Sequence, residues 1–193
     1  MNVKHVVSVG NGTDALLIGL EALELKKKEV IVPSFSFFAT SEAIVKAGLI
    51  PVFVDINDKD CNIDVELIEK NITSNTGAIL PVHLYGNASN MKKIKNLADK
   101  YNLKIVEDVA QSFGSKYENQ YLGTIGDIGC FSFFPTKTLG AYGDGGAIIT
   151  NDDNLATKAR MLKSHGAKKK YFNELFGYNS RLDSIQASVL NLK

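Results

Sequence analysis

Short runs of β-branched and apolar residues take turns with segments of helical period along this chain, and that alternation restricts the fold more than any other feature. The strand-like runs are residues 6–9, 29–32, 51–54, 78–82, 104–106, 130–133 and 146–150. Between them, residues 14–25, 39–47, 65–70, 91–101 and 154–164 carry apolar side chains at helical spacing. Uninterrupted apolar stretches such as residues 78–80 suit strands covered on both faces. Strands alternating with helices predict an α/β fold, a mostly parallel sheet flanked by helices. The chain has 193 residues, 45% of them hydrophobic. That suits one domain with a real core, and no repeat or long linker divides it.

Charge narrows the partners. With 22 basic and 21 acidic residues the net charge is +1, which gives no electrostatic footprint for nucleic acid or an anionic membrane. The one dense basic cluster, Lys168-Lys169-Lys170, reads as a solvated loop. The longest uncharged apolar stretch, residues 30–41, contains Pro33 and falls short of the roughly 20 residues that cross a bilayer. Lys4 and His5 precede too short an apolar run for a signal peptide. Cys61 and Cys130 lie far apart without metal-ligand spacing, as expected of reduced thiols in a cytoplasmic protein. A last helix runs from Asp183, with Ile185, Val189 and Leu190 on one stripe, to Lys193 without a closing Gly or Pro. The start is as abrupt as the end, and together they predict a fragment of a longer protein.

Three segments carry chemistry. Gly10-Asn11-Gly12-Thr13-Asp14-Ala15 follows a strand and opens a helix, matching the dinucleotide pattern G-x-G-x-x-A. That reading needs an acid at the end of the next strand, to hold a ribose hydroxyl. The next strand ends in Val32-Pro33-Ser34-Phe35. What survives is an anion site, with glycines permitting close approach, free N–H groups at a helix start and the Thr13 hydroxyl. The alternative is that Thr13 or Asp14 only caps the helix.

Lys104-Ile105-Val106-Glu107-Asp108-Val109-Ala110-Gln111 is an apolar strand running into an acidic pair, where open α/β sheets form their ligand crevice. An Asp there is costly to desolvate without a cation, such as a protonated pyridine nitrogen or a metal; the alternative is a helix cap. Downstream, Phe131-Ser132-Phe133-Phe134-Pro135-Thr136-Lys137-Thr138-Leu139-Gly140 places Lys137 between an apolar strand and a glycine-rich turn. A lysine after such a strand is ordinarily a surface residue, but few charges surround this one, which favours a nucleophilic amine. Ser132 offers a second hydroxyl for a phosphate. Gly143 to Gly146 reads as a tight turn that need not touch a ligand.

Taken together, these segments resemble the DegT/DnrJ/EryC1/StrS family of sugar aminotransferases. The resemblance rests on Asn11-Gly12-Thr13-Asp14-Ala15-Leu16, Val30-Ile31-Val32-Pro33-Ser34-Phe35, Pro51-Val52-Phe53-Val54-Asp55, Pro81-Val82-His83-Leu84-Tyr85-Gly86, Val106-Glu107-Asp108-Val109-Ala110-Gln111, Ser132-Phe133-Phe134-Pro135-Thr136-Lys137 and Asn179-Ser180-Arg181-Leu182-Asp183, in the family's order. It implies the large domain of the fold type I architecture across residues 1–193, with the small C-terminal domain largely absent, and pyridoxal 5'-phosphate as cofactor. Lys137 would link covalently to the cofactor and shuttle protons, and Asp108 would hold the ring nitrogen protonated. Gln111 would bond near the ring's 3-oxygen and Phe37 would stack on its face, leaving Phe35 and Phe38 for the core. Gly12, Thr13 and Ser132 would bind the phosphate. Asn179 would reach the phosphate of the neighbouring subunit in a homodimer.

The implied reaction passes nitrogen from an amino acid such as glutamate to a keto sugar, nucleotide-linked. Some relatives are dehydratases with His at the linking position, and Lys137 argues against that variant. Two other readings stand beside it: a catalytically incomplete or regulatory family fragment, and a nicotinamide-dependent dehydrogenase resting on Gly10 to Ala15. His83 ends a strand, where it either lines the pocket or is a satisfied core histidine. His165 reads as a helix C-terminus, and Tyr85 has no assigned role.

Overall fold

The computed structural model describes all of residues 1–193. Its elements, in chain order, are β1 (His5–Val9), α1 (Gly12–Ala22), β2 (Glu29–Pro33), α2 (Phe38–Lys46), β3 (Ile50–Val54), α3 (Val65–Ile68), β4 (Thr76–Ile79), α4 (Met91–Tyr101), β5 (Lys104–Asp108), β6 (Lys116–Tyr117), β7 (Gln120–Tyr121), β8 (Ile128–Ser132), β9 (Gly146–Thr150), α5 (Asp153–Leu162), β10 (Ala167–Lys169), β11 (Phe172–Asn173) and α6 (Ser184–Asn191). Seven strands form one sheet in the order β1-β9-β8-β5-β4-β2-β3. Strands β8, β5, β4, β2 and β3 pair in parallel, whereas β9 is antiparallel to both β8 and β1. One reversed strand thus sits inside an otherwise parallel sheet.

Side-chain alternation along the strands explains the uninterrupted apolar runs. Val30, Val32, Ala78 and Leu80 pack on one face with α1, while Ile31, Ile79 and Ile105 pack on the other with α4. Both faces are covered, which is why the middles of these strands are uninterrupted apolar runs. Helix α1 is buried from Ala15 through Leu20, and Gly19 lets its backbone close on β8, since a Cβ there would lie 3.2 Å from Ile128. Helix α4 instead buries only the stripe Met91, Ile94 and Ala98.

Strand β4 pairs only as far as Ile79, short of the expected residue 82. Pro81 has no N–H for the ladder, and the chain regains β5 through single bonds, Asp108 N–H to Pro81 O and His83 N–H to Asp108 O. The expected helix at 65–70 is α3 followed by a 3-10 turn, Glu69–Asn71. Two hairpins were not foreseen, β6–β7 and β10–β11. The second takes in Lys168 and Lys169, whose side chains are exposed as expected of a solvated segment. Asp183 caps α6, which buries none of its residues. No helix is long and apolar enough to cross a membrane.

Candidate active site

Three strands meet in one row, Val9, Gly146 and Ser132, paired across β1, β9 and β8. From this row α1 departs, and two glycines make the junction possible. A Cβ on Gly12 would lie 2.6 Å from Ser132 Cβ, and one on Gly146 would lie 2.3 Å from Asn11 O. The start of α1 is thereby pressed against the carboxyl end of β8. The carboxyl end of β5 and the start of α2 close the other side, leaving an open cleft of about 630 Å3. Gly12, Thr13, Phe37, Asp108, Gln111, Ser132 and Lys137 all line it. Seven of the eight residues singled out in the sequence therefore meet in one place.

Asn11, rather than Thr13 or Asp14, caps α1: its side chain accepts from Asp14 N–H at 2.8 Å. Asp14 is occupied elsewhere, accepting from Ser180 Oγ at 2.6 Å. Gly12 and Thr13 line the cleft, and their N–H groups, in the first turn of α1, have no intrahelical acceptor. A helix start of this kind suits an anion.

Asp108 ends β5 and is 4% exposed. Its Oδ2 accepts from Thr40 Oγ1 at 2.9 Å and its Oδ1 from Ala110 N–H at 3.1 Å. None of the chain's ion pairs includes it. Burial pushes its carboxyl above the usual range, against the pull of those two hydrogen bonds and of His83 and Lys137. The alternative of a helix cap does not apply, because no helix follows; a carboxylate left dry beside a cleft is a partner for a cation.

Glu107, next to it, has the opposite fate. Fully buried, it accepts from the N–H groups of Gly123, Ile125 and Gly126, and from His83 Nε2 at 3.0 Å. His83 Nδ1 accepts from Ser89 N–H at 3.1 Å, so the ring proton sits on Nε2 and is donated to Glu107. His83 is therefore the satisfied core histidine, and the pair ties the β7–β8 loop to β5. His165, with φ of 56°, follows the end of α5 and lies outside the cleft.

Phe37 is the N-cap of α2 and is 69% exposed at the cleft wall. Phe35 and Phe38 were expected in the core, but they are 49% and 75% exposed. Gln111 Oε1 accepts from Tyr85 N–H at 3.0 Å, which leaves its amide N–H groups free to donate. Tyr85 holds that N–H in place from a left-handed conformation, φ 55°. Lys137 follows β8 in a turn closed by its own N–H on Phe134 O at 2.8 Å. It enters no ion pair within the chain. The Gly143 to Gly146 segment does touch the cleft, through Asp144.

Asn179 is the residue the cleft does not include. It is exposed and pairs with Ser164 through a single antiparallel bridge. Its neighbours fix the segment: Ser180 Oγ accepts from Gly10 N–H at 2.8 Å, and Tyr178 donates to Glu21, whose proximity, after burial, pushes the phenol up to about 12. Asn11, Thr40, Asp144 and Ser180 went unread in the sequence. Asn11 ahead of a helix start was a recognisable cap; nothing local announced the others.

The topology removes the dehydrogenase reading. In a dinucleotide fold the strand after the glycine turn and helix lies beside the strand before it. Here β1 touches only β9, and α1 leads to β2 on the far side of the sheet.

Comparison with known proteins gives a consistent result. The profile of the DegT/DnrJ/EryC1/StrS aminotransferase family matches residues 1–193. The chain is 49% identical over 191 residues to a pleiotropic regulatory protein of Geobacillus stearothermophilus, covering 98% of this chain and 51% of that one. It is 49% identical over 189 residues to a UDP-N-acetyl-3-dehydro-alpha-D-glucosamine 3-aminotransferase of Acidithiobacillus ferrooxidans, covering 97% and 51%. Among solved structures, S. venezuelae DesV in complex with a ketimine intermediate superposes with a TM-score of 0.95 at 44% identity, covering 98% and 52%. NtdA from Bacillus subtilis with bound cofactor PMP gives a TM-score of 0.91 at 41% identity, covering 97% and 43%. The chain spans about half the length of the curated relatives it matches.

Proposed function

The chain belongs to the DegT/DnrJ/EryC1/StrS aminotransferase family, and on that premise we propose that its cleft holds pyridoxal 5'-phosphate for the transamination of a nucleotide-linked keto sugar. Residues 1–193 then form the cofactor-binding domain. The observation that carries the reading is the convergence of three unlike groups on one cleft: the free N–H groups of α1, a dry carboxylate without a cation, and an amine without a counter-ion.

Each group suits one part of the cofactor. Gly12 and Thr13 N–H, with the Thr13 and Ser132 hydroxyls, would bind the phosphate. Asp108 would accept the ring N–H, gaining the cation that its burial lacks. The Gln111 amide would donate to the 3-oxygen, and Phe37 would cover the ring face. Lys137 would hold the cofactor covalently between turnovers. Bound there, pyridoxal phosphate supplies an aldehyde that condenses with amines and a ring that withdraws electrons from the reacting carbon. The Lys137 amine would serve as general base and acid, taking a proton from the amino donor and returning one to the sugar. Glutamate fits as amino donor, and a second copy of the chain would bring Asn179 toward the phosphate. Cys130 takes no part: burial first of all pushes its thiol well up, and Sγ donates to Ala15 O. Its reduced state fits the cytoplasm.

The half-reaction tests this directly. Chain loaded with pyridoxal phosphate and given glutamate releases 2-oxoglutarate, and Lys137→Ala abolishes the release, by about 10^4-fold or more, in line with loss of a covalent and proton-transfer group. A Lys137→Ala chain with full release would sink the assignment.

A further inference from the structure

Thr40 lies in the first turn of α2 and is 1% exposed. A buried helical threonine ordinarily turns its hydroxyl back onto the carbonyl one turn earlier. Here the hydroxyl leaves its own helix and donates to Asp108 Oδ2 at 2.9 Å, while Ala110 N–H takes Oδ1 at 3.1 Å. Each carboxylate oxygen thus receives one donor from a different direction, which fixes the rotation of the group. Phe37, the N-cap of the same helix, lines the cleft above. One turn of α2 therefore presents an aromatic to the cleft and a hydroxyl to the carboxylate at its edge.

We propose that Thr40 is a positioning residue that holds Asp108 as an oriented carboxylate, ready to accept the protonated ring nitrogen of a heteroaromatic cofactor. The inference rests on the reading of the cleft as a pyridoxal phosphate site and deepens it. A hydroxyl donating to a carboxylate favours the ionised form, and burial alone works against that form here. Without Thr40 the carboxylate loses one of the two donors that favour its ionised form and fix its rotation, and only Ala110 N–H remains. The titratable groups around Asp108 are Glu107 beside it on β5, His83 after β4, Cys130 on β8 and Lys137 beyond β8. None of them makes a hydrogen bond to its carboxylate, so Thr40 is its one side-chain donor, beside the backbone N–H of Ala110.

The test uses Thr40→Val, which keeps shape and removes the hydroxyl, and Thr40→Ser, which keeps the donor. Affinity is measured for pyridoxal phosphate and for its 1-deaza analogue, in which carbon replaces the ring nitrogen. Thr40→Val weakens pyridoxal phosphate by about tenfold, the scale of one hydrogen bond to a charged group. It leaves the deaza analogue unchanged, and Thr40→Ser restores wild-type affinity. Equal weakening of both ligands, or of neither, overturns the proposal. In the cofactor-free chain, the carboxyl carbon resonance of Asp108 titrates at higher pH in Thr40→Val than in wild type. An unmoved titration also overturns it. Wild-type chain that binds no pyridoxal phosphate would defeat the reading of the cleft, and the carboxyl titration would still decide the role of Thr40.

Discussion

Asp108 carries a consequence for stability as well as for binding. Its folded carboxyl titrates above the usual range, chiefly because it is buried. The folded chain then holds that proton more tightly than the unfolded chain, so stability falls as pH rises from the unfolded carboxyl value, about 4, through the folded one. Above both, the whole penalty remains. Asp108→Asn removes it while keeping shape, Thr40 and Ala110 included. Thermal unfolding of the cofactor-free chain is therefore expected to rise in Asp108→Asn at neutral pH, by roughly 2–4 °C for each kcal/mol. The gap closes in acid. A gap that does not vary with pH would mean that another group carries the penalty. At this scale residue type and place after an apolar strand made Lys137 and Asp108 candidates, with a surface lysine and a helix cap as alternatives, and their roles came with the family resemblance. Thr40 was not among them, because its partner lies 68 residues away and no periodicity reports such a bond.

Among elements, the junction of α1 with β8 is the most demanding. Gly12 is needed there for space, not for an unusual backbone, since its Cβ would stand 2.6 Å from Ser132 Cβ. Gly12→Ala is expected to lift the start of α1 away from Ser132 and spoil the anion cradle. Cofactor affinity, followed by fluorescence titration, should fall tenfold or more, while the thermal midpoint moves by only a few degrees, about 1–2 kcal/mol of overpacking. Unchanged affinity would remove the α1 terminus from the site. The bounds of β9 and α4 were legible from the apolar pattern, residue for residue. The direction of β9 was not, because alternation is the same whichever way a strand runs. The clue lay in what separates it from β8: residues 133–145 contain no helix, and a strand that returns without a crossover element pairs antiparallel. The β6–β7 hairpin escaped notice because its turn is Glu118-Asn119, with Glu118 at φ of 52°, instead of the usual Asn-Gly signal.

For the whole molecule, the outer surface is more apolar than the charge balance suggests. Tyr142, Phe172, Phe176 and Ile185 are exposed, and Asn179 is exposed outside the lining of its own cleft. Both facts fit a second copy that covers this surface and completes the phosphate site. Cofactor retention is then expected to fall on dilution together with dissociation to single copies, as sedimentation would report, and Asn179→Ala should weaken retention at every concentration by roughly three- to tenfold. Retention that ignores dilution would make the site self-sufficient. The alternation of strands and helices was enough to give the layered α/β architecture. The order of strands was beyond it, because strand neighbours are chosen by packing across the sheet and not by adjacency in the chain. Whether Lys137 links the cofactor is decided by one measurement. Pyridoxal phosphate is bound, the complex is reduced with borohydride, and the protease fragments are weighed: a single phosphopyridoxyl adduct is expected, on Lys137, and a principal adduct on any other lysine would take the linkage away from Lys137.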